Sequence, residues 1–355
     1  MDPFIFGDKF KVLVFGASHA DYVGVEVIGC PAGVNVSKQD IQKMLDLRKP
    51  GQNALTSQRK EDDEAIIEAG IKNGKTTGGT IRVIVKNKDT RSKDYSKFSQ
   101  TPRPGHADYP ALIKYGKVEP GGGFFSGRMT IAFVIAGAIA KKMLEAKGVS
   151  TMAFSRQIGT VRLESEPADK ELAKNTYSNA ARCPDPKTAK LMEKEIEKAR
   201  DEGDSVGGVI ECRINGMPAG LGEPMFASIE GRLSLAMFAI PAVKGIEFGS
   251  GFAGSAARGS QNNDEYEVKA GKVAAKTNNA GGILGGLTSG MPIVLRVAVK
   301  PTSSIFKKQK TVNVKEMKAE ELKIEGRHDP CIAIRAVPVV ECVAAMCMAD
   351  IMLMG

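Results

Sequence analysis

The hydrophobic pattern along this chain reads as β-prone runs alternating with helical stretches, and it does so twice. Residues 25–34 (VEVIGCPAGV) and 212–221 (CRINGMPAGL) are short β-prone runs with the same punctuation, Gly-x-Pro-Ala-Gly, at Gly29–Gly33 and Gly216–Gly220. Gly and Pro at such a point fix a tight turn where most residues would clash. A helical pattern follows each, Lys38–Leu47 in the first half and Ala227–Ala239 in the second. TTGGTIRVIV (Thr76–Val85) then matches TSGMPIVLRV (Thr288–Val297), in each case a glycine turn leading into a strand. RPGHAD (Arg103–Asp108) and GRHDP (Gly326–Pro330) are loops that pair Arg, His and Asp. Each half closes on an apolar helix, Ile131–Leu144 and Val339–Met354. Four elements in one order predict a duplicated α/β architecture.

Between the halves, Pro186–Gly203 (PKTAKLMEKEIEKARDEG) is helical and charged, with one modest apolar face at Leu191, Ile196 and Ala199. It reads as a solvated surface helix. Lys307–Lys310 and Lys315–Lys323 read as a charged, mobile loop. The expected organisation is a single domain over residues 1–355. Its pseudo-repeat halves lie at about 10–150 and 205–355, joined by a charged helical connector at about 160–204.

Composition narrows the class. Hydrophobic content of 42% and charged content of 26% exclude wholesale disorder in 355 residues. No uninterrupted apolar stretch approaches the ~20 residues of a membrane span, and Met1–Phe10 contains Asp2, Asp8 and Lys9, unlike a signal peptide. Six scattered cysteines without a C-x-x-C pair argue against structural zinc and a disulfide scaffold. A cytoplasmic protein is expected. The net charge of +9 suits nucleic acid or a small polyanion equally. The lysine-rich runs lack interleaved aromatics, which weakens the nucleic-acid reading.

The candidate chemistry gathers at three histidines, the whole complement of the chain: His19 in FGASHADYVG, His106 in RPGHADY and His328 in GRHDPC. All lie in Gly/Pro-punctuated loops, where a pKa near ~6.5 suits proton transfer at neutral pH. Arginines recur beside glycine at Arg48, Arg59, Arg103, Arg128 and Arg327. Guanidinium groups bind carboxylate and phosphate in bidentate fashion, so the set suggests a ligand with several negative charges. Gly121–Gly123 before a helix is a candidate phosphate cradle. No Walker motif and no strand-linked G-x-G-x-x-G is present. KPTSS (Lys300–Ser304) sets a cation and three hydroxyls at a strand end, a second candidate for phosphate.

Taken together, these segments resemble the chorismate synthase family. The match runs from GDKFKVLVFGASH through RKPGQ, TSQRKEDD, RPGHADYPALIKYG, GGGFFSGRMT and GDSVGG. It resumes at GMPAGLGEP, IPAVKGIEFGSGF, GSQNND, NNAGGILGGLTSG, KPTSS and GRHDPC, and ends at IRAVPVVE. It covers nearly the whole chain. The resemblance implies a homotetrameric cytoplasmic enzyme whose subunit is a β-α-β sandwich with internal pseudo-two-fold duplication, an α+β arrangement within the α/β class. It implies anti-1,4-elimination of phosphate from 5-enolpyruvylshikimate 3-phosphate to give chorismate. Reduced FMN is required without net redox change, and the flavin is reduced by NADPH on the enzyme or by an external flavin reductase. His19 would protonate the departing phosphate, His106 would face the reduced flavin, and Asp329 would help the flavin accept the ring proton. Arg48, Arg59, Arg103 and Arg128 would clamp the substrate's anionic groups. Phe125, Ser126, Gly285, Lys300, Pro301, Thr302, Ser303, Ser304 and Arg327 match positions that hold FMN. No metal is implied.

The chain departs from the family pattern at Ala17 and Ala20, where GESHG is usual, at Phe124, which replaces an arginine of GGGR, and at Leu47 and Ala54. Two further readings stand beside the enzyme: a degenerate paralogue that binds flavin or an anionic ligand without turnover, and a basic nucleic-acid-binding protein.

Overall fold

Alternation on the Tyr22–Ile28 strand sets the layering: Val23, Val25 and Val27 are buried, while Glu26 and Ile28 lie on the opposite face. The computed structural model describes residues 2–53, 55–56, 61–88, 97–269, 271–324, 326 and 328–355. In the first sheet the spatial order is Ile5–Phe6, Lys11–Gly16, Tyr22–Ile28, Ile81–Lys86 and Ile66–Ala69, all antiparallel. The second runs Val243–Phe248, Ile293–Val299, Gly208–Asn215, Ser150–Ile158 and Val161–Arg162, again antiparallel throughout. On the Ile293–Val299 strand, Ile293, Leu295, Val297 and Val299 are buried. On the outer faces, Glu26 sits opposite Arg82 in one sheet and Glu211 opposite Arg296 in the other, each pair joined as ions.

The helices fill the space between the sheets. Thr130–Glu145 packs on Tyr22–Ile28 of the first sheet and Ser150–Ile158 of the second. Ala333–Met354 packs on Ser150–Ile158 and Gly208–Asn215. Both are apolar around almost their whole circumference because neighbours cover them on all sides. They cross closely at Gly137, where an added Cβ would stand 2.2 Å from the Cβ of Cys342. This is the β-α-β sandwich expected for the chain. The C-terminal helix begins at Ala333, earlier than the apolar pattern suggested. Its 22 residues are long and apolar enough to cross a membrane, but most of the helix lies inside the fold. Its acids are bound internally: the Asp350 carboxylate accepts backbone N–H groups from Lys9 at 2.6 Å and Phe10 at 2.8 Å, and pairs with Arg232 at 3.0 Å.

The repeated Gly-x-Pro-Ala-Gly turns are closed by matching threonines. Gly33 N–H donates to the Thr76 carbonyl at 2.9 Å and Gly220 N–H to that of Thr288 at 2.8 Å. Each threonine hydroxyl also donates to the turn proline, Pro31 at 2.5 Å and Pro218 at 2.6 Å.

Two expectations need correction. The connector helix, Pro186–Asp201, is capped by Asp185 and buries Ala189, Met192 and Ile196, while Leu191 is 54% exposed. The apolar stripe lies one position off the one read, because Met192 rather than Leu191 shares a face with Ile196. The lysine-rich run after KPTSS is an antiparallel hairpin, Gln309–Asn313 with Lys318–Leu322, rather than a loop. Leu322 and Ile324 anchor it by packing with Phe98 in a small second core.

Candidate active site

The site is organised by the turn Pro120–Phe125. Gly121, Gly122 and Gly123 all have positive φ, at 64°, 83° and 50°. A Cβ at Gly121 would lie 2.3 Å from both Cδ2 and Nε2 of His19, and one at Gly122 would lie 3.4 Å from Cε1 of His106. Adjacent residues of one turn therefore rest on two histidines remote from each other in sequence. The turn was read as an anion cradle at a helix start. In the structure the helix begins only at Thr130, and the glycines give room to imidazole rings.

His106, half-buried, joins a buried pair, Arg103 and Asp108, in a triplet. Asp108, the first residue of the helix Asp108–Tyr115, accepts from Arg103 Nε at 2.7 Å, Arg103 Nη2 at 2.8 Å, Arg103 N–H at 3.0 Å and His106 Nδ1 at 2.7 Å. Burial opposes the charge on Asp108, but Arg103 and His106 together hold its carboxyl well below the usual carboxylate range. Nδ1 of His106 faces both Arg103 Nη2, a donor, at 3.0 Å and Asp108 Oδ1, an acceptor, at 2.7 Å. The shorter contact to the ionised carboxylate favours the proton on Nδ1, with Nε2 left toward Gly122. The Arg103 guanidinium lies 4.5 Å over the Phe98 ring.

KPTSS meets this triplet. Lys300 Nζ donates to the Gly105 carbonyl at 2.9 Å and to Ser303 Oγ at 2.6 Å, and Ser303 Oγ donates to the same carbonyl at 2.6 Å. Arg103 Nη1 donates to the buried Ser304 Oγ at 3.4 Å. Pro301 packs beside Gly207. The Thr302 hydroxyl is buried without a hydrogen-bond partner among the described residues. An ammonium and three hydroxyls, one of them an unused buried donor, fit a phosphate-bearing cofactor. Ser126 Oγ accepts from Arg128 N–H at 3.3 Å, and Phe125, 42% exposed, sits 6.4 Å from the Tyr115 ring.

Arg48 and Arg128 form a second buried cluster. Arg48 Nη1 pairs with Asp63 at 2.7 Å, Nε donates to Thr130 Oγ1 at 3.2 Å, and Nη2 to the Gly127 carbonyl at 3.4 Å. Arg128 Nη1 pairs with Asp63 at 3.1 Å and also with Glu61, and its Nε donates to Asn87 Oδ1. Burial, with Arg335 and Arg128 adding to it, brings Arg48 down to about 9 despite Asp63, so it stays charged at neutral pH. Both cations, expected as open anion clamps, thus carry internal carboxylates. Arg335 links this cluster to Asp329: its Nη1 donates to Asp329 at 2.6 Å and its Nε to the Arg48 carbonyl at 3.1 Å. Asp329 in turn adjoins KPTSS through Pro330, whose carbonyl accepts from Val206, and Ser205, which donates to the Thr302 carbonyl at 2.7 Å.

The fold therefore gathers His19, His106, Asp329, Arg48, Arg103, Arg128, Ser126 and Lys300–Ser304 in connected layers. Gly285 is not brought to them within one chain. It turns between Ile283–Leu284 and Leu287–Thr288. The next residue, Gly286, lies beside Gly222 and Ser228, and Thr288 N–H donates to the carbonyl of Leu221, whose side chain adjoins Gly355. That is the far end of the C-terminal helix Ala333–Met354 from Arg335, ~29 Å away along the helix axis. Arg59, Arg327 and Ala54 lie outside the described residues. Phe124 packs on Phe4, ring centres 4.9 Å apart, and His328 lies 6.3 Å from the Phe306 ring. Sequence reasoning missed Asp63, Glu61, Asn87 and Arg335 as site residues, and left Asp108 as a neighbour of His106 although its spacing marked it.

A family model described as chorismate synthase matches residues 10–353. The chorismate synthase of Korarchaeum cryptofilum is 49% identical over 98% of this chain and 96% of its own length. Those of Methanobrevibacter smithii and Methanocaldococcus jannaschii are each 47% identical, over 98% and 99% of this chain and 95% and 96% of their own. A crystal structure of a chorismate synthase aligns with a TM-score of 0.77 at 27% identity, covering 98% of this chain and 92% of the other.

Proposed function

The chain belongs to the chorismate synthase family, and on that premise we propose that its reaction is centred on the glycine turn between His19 and His106. Its activity is that of a chorismate synthase, a carbon–oxygen lyase that eliminates phosphate from 5-enolpyruvylshikimate 3-phosphate to give chorismate in aromatic amino-acid biosynthesis.

In this reading His19 donates a proton to the departing phosphate from the ring that rests on Gly121. Such proton donation contributes about 10²- to 10⁴-fold. Reduced FMN, when bound, supplies an electron-rich ring to the substrate and an acceptor for its ring proton, with no net redox change. His106, its Nδ1–H held by Asp108, offers Nε2 to that ring. Lys300, Thr302, Ser303 and Ser304 would hold the cofactor phosphate, with Ser126, Phe125, Pro301 and Arg327 as further cofactor-binding residues. Asp329, held by Arg335, assists removal of the ring proton. Substrate anions exchange with Asp63 and Glu61 for Arg48 and Arg128, and Arg59 completes the clamp. The working form is a cytoplasmic homotetramer, with flavin reduced by NADPH or by an external reductase.

What carries the reading is the meeting of two proton-carrying histidines on one glycine turn, beside a phosphate-type donor set. Under anaerobic conditions with chemically pre-reduced FMN, the protein is expected to release phosphate catalytically from 5-enolpyruvylshikimate 3-phosphate. Tight flavin binding without phosphate release would refute turnover and support the degenerate paralogue.

A further inference from the structure

We infer that Asn87 is a positioning residue for this reaction, clamping the Ala17–Ala20 turn that presents His19 and tying it to Arg128. Asn87 follows the Ile81–Lys86 strand, whose last residue pairs with Tyr22 just beyond the His19 turn. Its main-chain N–H donates to the Asp21 carbonyl at 2.9 Å. Its side-chain Nδ2 donates to the Ala17 carbonyl at 3.0 Å and to the Ala20 carbonyl, so one amide spans both ends of the tetrapeptide. Within that turn, Ala20 N–H donates to the Ala17 carbonyl at 3.2 Å. The opposite face of the amide, Oδ1, accepts from Arg128 Nε.

These partners allow one orientation of the amide, because backbone carbonyls only accept and a guanidinium only donates. No other side chain of this length supplies two donors and an acceptor in one plane. Aspartate would keep the contact to Arg128 and lose both bonds to the His19 turn; alanine would lose all three. The consequence for catalysis is geometric. The turn is short and its backbone already meets Gly121 through the His19 ring, so releasing its ends moves the imidazole relative to the departing phosphate. Misplacement of a reacting group by about 1 Å costs on the order of 10²-fold in rate.

The inference rests on the catalytic reading of His19, and the test separates the two. Single-turnover phosphate release is measured on the full chain with pre-reduced FMN under anaerobic conditions, for wild type, Asn87→Ala, Asn87→Asp, His19→Ala and Asn87→Ala with His19→Ala. Steady-state kcat and KM are measured alongside. Both Asn87 variants should lose roughly 10- to 100-fold in kcat while KM changes less than about threefold. With His19 already removed, Asn87→Ala should cost less than about threefold, since only its contact to Arg128 remains to be lost. Should Asn87→Ala fold poorly, Asn87→Asp carries the kcat and KM comparison. An Asn87→Asp enzyme near wild type, or an equal loss in both backgrounds, overturns the inference while leaving His19 catalytic. A His19→Ala enzyme near wild type overturns the catalytic reading itself, and the inference with it.

Discussion

Gly121 lies under the His19 imidazole so closely that a methyl group on its Cα would stand 2.3 Å from Cδ2 and Nε2 of the ring. The residue at position 121 therefore decides where this histidine sits. Gly121→Ala must push the ring away or distort a turn already at φ 64°. Turnover should fall about 10²-fold while the far-ultraviolet circular dichroism spectrum is retained. Near-normal turnover would show that the position of His19 does not limit the reaction.

Asp108 is ionised under its arginine and histidine, with its folded pKa below the unfolded value. Its contribution to stability is thus fully present above about pH 4 and lost as pH falls toward the folded value. Asp108→Asn should cost about 3–5 kcal/mol in urea unfolding at pH 7, because Arg103 stays buried and charged. That gap should narrow between about pH 4 and pH 2. A constant gap down to about pH 2 would contradict the assignment of the charge.

The two buried arginines share Asp63 as counter-ion, at 2.7 Å from Arg48 and 3.1 Å from Arg128. Asp63→Asn leaves two close cations under-compensated, so the melting temperature should drop. Added inorganic phosphate should restore it more strongly than it stabilises wild type, because an anion then substitutes for the carboxylate. Equal phosphate responses would mean that this cluster does not receive anions.

Thr302 and Lys300 make opposite demands before and after flavin binding. A buried hydroxyl without a partner is costly, so Thr302→Val should leave the flavin-free protein as stable as wild type or more so. Both Thr302→Val and Lys300→Ala should weaken FMN in a fluorescence titration, the lysine variant by roughly 10- to 100-fold. Unchanged affinity in both would move the cofactor phosphate elsewhere.

Much of the fold was readable because its signals are local. The Gly-x-Pro-Ala-Gly turns and the strands beside them encode their conformation within ten residues, and the threonines that close them, Thr76 and Thr288, occupy matching places in the repeat. The two apolar helices were readable as helices, while the layer they form between the sheets was implied only by the family resemblance. The histidines and arginines of the site were visible as residue types in loops. Their partners were not: Asp63 reaches Arg48 and Arg128 only through the tertiary fold, and Asn87 reaches Ala17 and Ala20 across paired strands. Leu191 looked like the core of the connector and is solvent-facing, since a helix with sparse apolar residues fits more than one stripe. The lysine run hid a hairpin because its anchors, Leu322 and Ile324, pack on Phe98, far away in sequence.

The most direct test of the central claim is anaerobic single-turnover phosphate release from 5-enolpyruvylshikimate 3-phosphate by wild type, His19→Ala and His106→Ala, each saturated with pre-reduced FMN at neutral pH. Wild type should show a burst, and both variants should lose about 10²-fold or more with folding intact. A variant that keeps the wild-type burst would contradict the assignment of proton transfer to the two histidines on the Gly121–Gly122 turn.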